Sequence, residues 1–151
     1  MKLDQLAFYC VGNDAALHVK KTLGLQDAQW SHDTVTSEVT VWRERMEPWQ
    51  GVNVAELQFC EDWGMQLEII RYVDGLHWCM FNPAFDVEDI FIAHAGVHIN
   101  NNDWPAHLAD EKLVQQAFTK HHTAFTDRTY QYRIYEMAPG TYIKYIQRIP
   151  K

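Results

Sequence analysis

The chain has 151 residues, 47% of them hydrophobic and 13% aromatic. That suits one domain or two small fused modules and excludes wholesale disorder. The formal net charge of -7 argues against a general nucleic-acid surface or an anionic-membrane surface. Three cysteines without metal-site spacing (Cys10, Cys60 and Cys79) point to a reducing, cytoplasmic setting, and no stretch reads as a signal peptide or a membrane span.

Alternation over residues 3–11 predicts a first strand, with Leu6, Phe8 and Cys10 on one face and Gln5, Ala7 and Tyr9 on the other. Gly12-Asn13-Asp14 then opens a helix, with Asn13 or Asp14 as its cap. Ala15, Ala16, Val19 and Leu23 recur at helical spacing, and Gly24 supplies the left-handed C-terminal residue. Ser31 to Trp42 is rich in Thr and Val and reads as a strand. Glu44 to Gly51, with Pro48, reads as a loop. Val52 to Cys60 is the next strand, its Ala55, Leu57 and Phe59 opposite Glu56 and Gln58. Met65 to Tyr72 follows, with Leu67 and Ile69 opposite Gln66 and Glu68. The first half therefore reads strand, helix, strand, strand, strand.

Residues 74–89 carry Trp78, Met80 and Phe85 and are too apolar for a floating linker. From Phe91 a strand places His94, Gly96 and His98 on one face and Ala95, Val97 and Ile99 on the other. Trp104-Pro105 suits the first turn of a second helix, in which Leu113, Val114, Ala117 and Phe118 show helical spacing. Asp110 is placed to cap a second helical piece, and His121-His122 fall at the helix end, where imidazoles suit the carbonyl dipole. His122 to Arg128, Tyr130 to Met137, a Pro139-Gly140 turn and Thr141 to Ile149 complete the order. The halves echo one another. Laying Gln5 on His94 brings Asn13-Asp14 onto Asn102-Asp103 and His18 onto His107, and Gly64–Ile70 lies on Gly140–Ile146. Glu68 and Lys144 then occupy equivalent positions.

The stretches LDQLAFYCVGNDAALHVKKTLGL, VNVAELQFCEDWGMQLEII, FIAHAGVHINNND and GTYIKYIQRI resemble the vicinal oxygen chelate superfamily. That group includes glyoxalase I, extradiol dioxygenases and the bleomycin-resistance proteins. The resemblance implies an α+β fold in one glyoxalase-like domain. Two tandem βαβββ modules, about residues 1–74 and 90–151, would be joined by a loop over 75–89 and form a cup-shaped mixed sheet. The family holds a divalent metal and substrate in that cup, from ligands on the first and fourth strands of each module. Carried onto this chain, those positions are Gln5, Glu68, His94 and Lys144. Animal-type glyoxalase I has Gln, Glu, His and Glu there, so the fourth position departs. A protonated ammonium cannot ligate a metal and repels one nearby. The missing carboxylate is also the one expected to shuttle the proton in glyoxalase I.

The expected function is that of a superfamily protein binding a small polar or anionic molecule in its cup without a catalytic metal, as the drug-resistance members do. The expected pocket residues are Gln5, Tyr9, Glu56, Glu68, His94, His98 and Lys144, with Gln58, Gln131 and Arg133 also facing the cup. Lys144 is expected to pair with Glu68, although a Schiff-base amine is an alternative role for it. His98 reads as a rim residue, a substitute ligand or an acid/base. The alternative function is a metal-dependent lyase, isomerase or dioxygenase, with Zn, Ni, Mn or Fe held by Gln5, Glu68 and His94. An interaction protein without a ligand is a third reading, and whether the chain is an enzyme stays open. A small molecule is the expected partner, with no nucleic acid and no membrane. Pairing of the modules within one chain and swapping in a homodimer both stay open. Trp78, Met80 and Phe85 are expected to pack at the cup mouth or against a partner chain.

Overall fold

The computed structural model describes residues 2–42, 47–99, 104–122 and 128–150. In chain order it has β1 (Gln5–Cys10), α1 (Asn13–Thr22), β2 (Ser31–Val41), β3 (Trp49–Cys60) and β4 (Gln66–Asp74). After a short 3₁₀ turn at Trp78–Phe81 come β5 (Ile90–Ile99), a second 3₁₀ turn at Ala106–Leu108, β6 (Lys112–His122), β7 (Arg128–Ala138) and β8 (Thr141–Pro150). The strands close in the order β1-β4-β3-β2-β6-β7-β8-β5. Each half thus supplies the same four-strand pattern, with its first and fourth strands parallel. The halves meet twice. β1 runs antiparallel to β5, and β2 runs antiparallel to β6, which turns the cup into a barrel.

Alternation on β1 is as the sequence predicts. Ala7 and Tyr9 enter the barrel core, while Phe8 and Cys10 pack under α1 with Ala15, Ala16, Val19 and Ile69. Gly12 is the N-cap and makes no side-chain cap bond, so neither Asn13 nor Asp14 caps the helix. Asp14 in the first turn and Lys20 and Lys21 in the last match the helix dipole instead. Gly24 has φ 73°, the left-handed geometry that ends the helix region.

The second module departs from the expected repeat. Pro105 opens only a 3₁₀ turn, and the segment expected as a helix is β6. A bulge between Leu113 and Gln115 accounts for the misleading spacing. It leaves Val114 and Gln115 both turned inward, so that Ala117 is again inside three residues after Val114, while Leu113 packs in an outer cluster. Asn102-Asp103, the proposed partner of Asn13-Asp14, lies outside the described residues, as do residues 123–127.

The connection between β4 and β5 fills one end of the barrel. Trp78 is 2% exposed and its ring lies 4.0 Å from that of Tyr142. The backbone N–H of Trp78 donates to Gln115 Oε1 at 3.0 Å, and Phe85 packs 5.1 Å from the Tyr9 ring. Met80 is half-buried. Among the described residues no helix is long and apolar enough to cross a membrane.

Candidate functional site

Above that plug the barrel holds a partly open cavity of about 80 Å³. This is room for a few waters or a molecule of a few non-hydrogen atoms. Gln5, Glu68, His94, His98 and Lys144 all line it, so the echoed positions of the two modules converge. Gln5 comes from β1, Glu68 from β4, His94 and His98 from β5, and Lys144 from β8. The parallel pairings β1–β4 and β5–β8 set these residues side by side, and β1–β5 joins the two sets.

Local irregularity does part of the aiming. The β1–β5 register shifts between Ala7 and Phe8, leaving Ala93 as an extra residue. Ala93 and His94 then both turn inward, one into the core and one into the cavity. Opposite Gln5 stands Gly96. A Cβ there would lie 2.6 Å from Gln5 Oε1 and 2.9 Å from Gln5 Cβ, so only glycine leaves the amide its path to His94.

His94 Nε2–H donates to Gln5 Oε1 at 2.9 Å. Gln5 Nε2 donates to Gln66 Oε1 at 2.6 Å, and Gln66 Nε2 donates to Glu61 Oε1 at 2.9 Å. The chain of donors runs outward from the buried imidazole to a carboxylate at the surface. It assigns the proton of neutral His94 to Nε2. Nδ1 is buried and makes no hydrogen bond among the described residues, and the same is true of Glu68 Oε1. Glu68 Oε1 stands 3.6 Å from His94 Nε2.

A second imidazole, His77, lines the cavity from the plug. Its Nδ1 accepts from the backbone N–H of Cys79 at 3.2 Å, so its Nε2–H donates to Tyr72 Oη, also at 3.2 Å. Burial holds both imidazoles well below their ordinary range, and the Lys144 charge adds to the effect. Burial also pushes the Glu68 carboxyl up, with Lys144 and His98 pulling partly back. It lowers the Lys144 amine, which Glu68 pulls partly back up.

The expected Lys144–Glu68 ion pair is not present. The Lys144 Nζ lies over the Tyr132 ring, 4.1 Å from its centroid, and among the described residues it has no hydrogen-bond or ion-pair partner. Tyr132 is itself fixed by Gln115, whose Nε2 donates to its hydroxyl at 2.9 Å. His98 sits at the rim, where its Nδ1–H donates to Asp4 Oδ1 at 2.9 Å. Among the described residues no group of three or more His, Cys, Asp or Glu side chains is arranged to hold a metal ion.

Two expected pocket residues lie elsewhere. Tyr9 faces inward but belongs to the core, against Tyr72, Phe85 and Phe91. Glu56 is on the outer surface, paired with Arg71 at 2.6 Å. Gln58 takes a hydrogen bond from Lys20 on α1, while Gln131 and Arg133 line a shallow groove away from the cavity, where Arg133 lies over the Trp104 ring. Alternation is correct on these strands, but the apolar face is the inner one. The outer face of β3 is open at Glu56, whose side chain is half exposed. The sequence reading missed Gln66, Tyr72, His77 and Tyr132 as lining residues. Tyr132 shares the parity of Ile134, and Gln66 that of Glu68, which was the available signal. His77 lies in an aperiodic loop and left none.

No family model matches the chain, and no curated protein matches it. Among solved structures it is similar to the methylmalonyl-CoA epimerase from Mycobacterium tuberculosis, with a TM-score of 0.50 and 12% sequence identity over 98% of this chain and 88% of that one. At that identity the likeness carries the fold, the type that the sequence resembles.

Proposed function

We propose that the chain binds a small polar or anionic molecule in the barrel cavity, without a divalent metal, in a cytoplasmic setting. The observation that carries this reading is the state of Lys144. Its ammonium faces the cavity with no acceptor for its N–H groups among the described residues. A cation in that condition favours an anion or a strong acceptor beside it. The cavity volume of about 80 Å³ suits a small molecule.

The donor set does not fit a divalent metal. A metal on His94 Nε2 would need the imidazole proton on Nδ1, and ligating imidazoles almost always donate that second N–H to a partner. Nδ1 is buried here with no acceptor, while Nε2 already donates to Gln5. The Lys144 charge adds like-charge repulsion in a partly dry site. The metal-dependent reading has one observation in its favour, the closeness of Gln5 Oε1, His94 Nε2 and Glu68 Oε1.

Calorimetric titration with nickel, zinc and manganese separates the two. Wild type should bind none of them tightly at this site, and Lys144→Glu should gain tight binding. Stoichiometric, submicromolar metal on wild type, lost in His94→Ala and in Glu68→Ala, would put the metal-dependent enzyme ahead.

A further inference from the structure

Resting on the cavity-binding reading, we propose that Lys144 captures a small aldehyde or ketone in the cavity as a Schiff base. The geometry supplies what such a lysine needs. Its amine faces the cavity and has neither a hydrogen-bond nor an ion-pair partner among the described residues. The ring of Tyr132 holds it from one side without giving it a counter-charge. Val35, Leu57, Ile134 and Ile146 supply apolar wall to the cavity. An amine desolvated in this way spends more of its time neutral, the nucleophilic form.

The other ionisable side chains that face the cavity are Glu68 and Tyr72 on β4, His77 on the plug, His94 and His98 on β5, and Tyr130 and Tyr132 on β7. Glu68 lines the same cavity and is the acid the step would use. It is 2% exposed, its Oε1 makes no hydrogen bond among the described residues, and burial favours its protonated form. In the proposed step the Nζ lone pair adds to the carbonyl carbon. One Nζ proton passes to the former carbonyl oxygen, giving a carbinolamine. Glu68 then protonates the hydroxyl, the carbon–oxygen bond breaks, and water leaves. The products are an iminium on Lys144, a carboxylate on Glu68 and one water. Atoms and charge balance without an oxidant or a metal, and the iminium gains the Glu68 carboxylate as a counter-charge facing the same cavity.

The test uses the full chain with glyoxylate, a small anionic aldehyde, and glycolate, which has the same carboxylate and no carbonyl. Cyanoborohydride reduces any imine to a stable adduct, and peptide mass mapping locates it. The expected result is that Lys144 is labelled on the order of tenfold faster than any other lysine at neutral pH. Lys144→Arg should keep glycolate binding and lose the adduct. Should that variant fail to fold, the wild-type label map decides alone. If glycolate and glyoxylate bind alike while label spreads over surface lysines and spares Lys144, the covalent proposal is overturned and the binding reading stands. If neither molecule binds and Lys144 is unlabelled, the binding reading falls and takes the proposal with it.

Discussion

Trp78→Ala removes the side chain that closes one end of the barrel, and its cost can be worked from the contacts. Trp78 is 2% exposed and packs on Tyr142 at 4.0 Å between ring centroids and on His94 at 6.5 Å. Its Nε1–H has no hydrogen-bond partner among the described residues, so truncation forfeits packing and no side-chain hydrogen bond. Its backbone bond to Gln115 survives the substitution. A buried aromatic truncated to alanine costs about 3–5 kcal/mol. That is a large part of the 5–15 kcal/mol typical of whole domains, roughly speaking. Trp78→Phe keeps a ring against Tyr142 and loses no partnered N–H, so its cost should be clearly smaller. Urea unfolding of the three proteins reads both numbers, provided the slopes agree. A loss below about 1 kcal/mol for Trp78→Ala, within the range of ordinary surface substitutions, would refute the plug.

Acid should destabilise the fold through the cavity imidazoles. His77 and His94 are held well below 6.5 by burial first and Lys144 second. Their contribution is therefore complete above that value and is lost as pH falls from it toward the folded-state values, at up to about 1.4 kcal/mol per pH unit for each. Glu68 acts in the opposite sense, since burial raises it above 4.5, so its contribution is full below that value and lost as pH rises through the folded-state one. Urea midpoints of Glu68→Gln, in which the opposing carboxyl is gone, should thus drop between about pH 7.5 and about pH 5.5, and a flat profile there would mean that the folded imidazoles take up protons freely. Gly96→Ala should push Gln5 off His94, because the new methyl meets Gln5 at 2.6 Å. Overpacking of this kind costs about 1–3 kcal/mol, and the His94 ring resonances should shift; unchanged resonances at full stability would contradict the Gln5–His94 bond.

Much of the site was legible because it rests on duplication. The echo that lays Gln5 on His94 and Glu68 on Lys144 survives in the structure as four side chains lining one cavity. Duplication depends on backbone register, and register is what alternation encodes. The second helix misled for a physical reason. Gln115 and Thr119 are polar yet buried inside the barrel, which breaks the alternation that would have marked β6 as a strand. The bulge at Val114 then creates an apolar spacing that imitates a helix. Glu56 was read on the right parity and the wrong side, because a polar cup was assumed where β3 turns Ala55, Leu57 and Phe59 inward. The closure of β2 on β6 left no local signal, being a meeting of edges far apart in the chain. The partner of Lys144 was also beyond reach, since Tyr132 holds the ammonium from the adjacent strand β7 through a ring contact and not a charge.

The central claim is that the cavity takes a small anion on Lys144 and does so without a metal. Calorimetric titration of glycolate into chelator-treated protein tests it directly. The expected result is saturable binding at one site per chain, abolished in Lys144→Met and unchanged when nickel, zinc or manganese is restored. Binding that appears only after a divalent metal is added, or that persists at full strength in Lys144→Met, would contradict it.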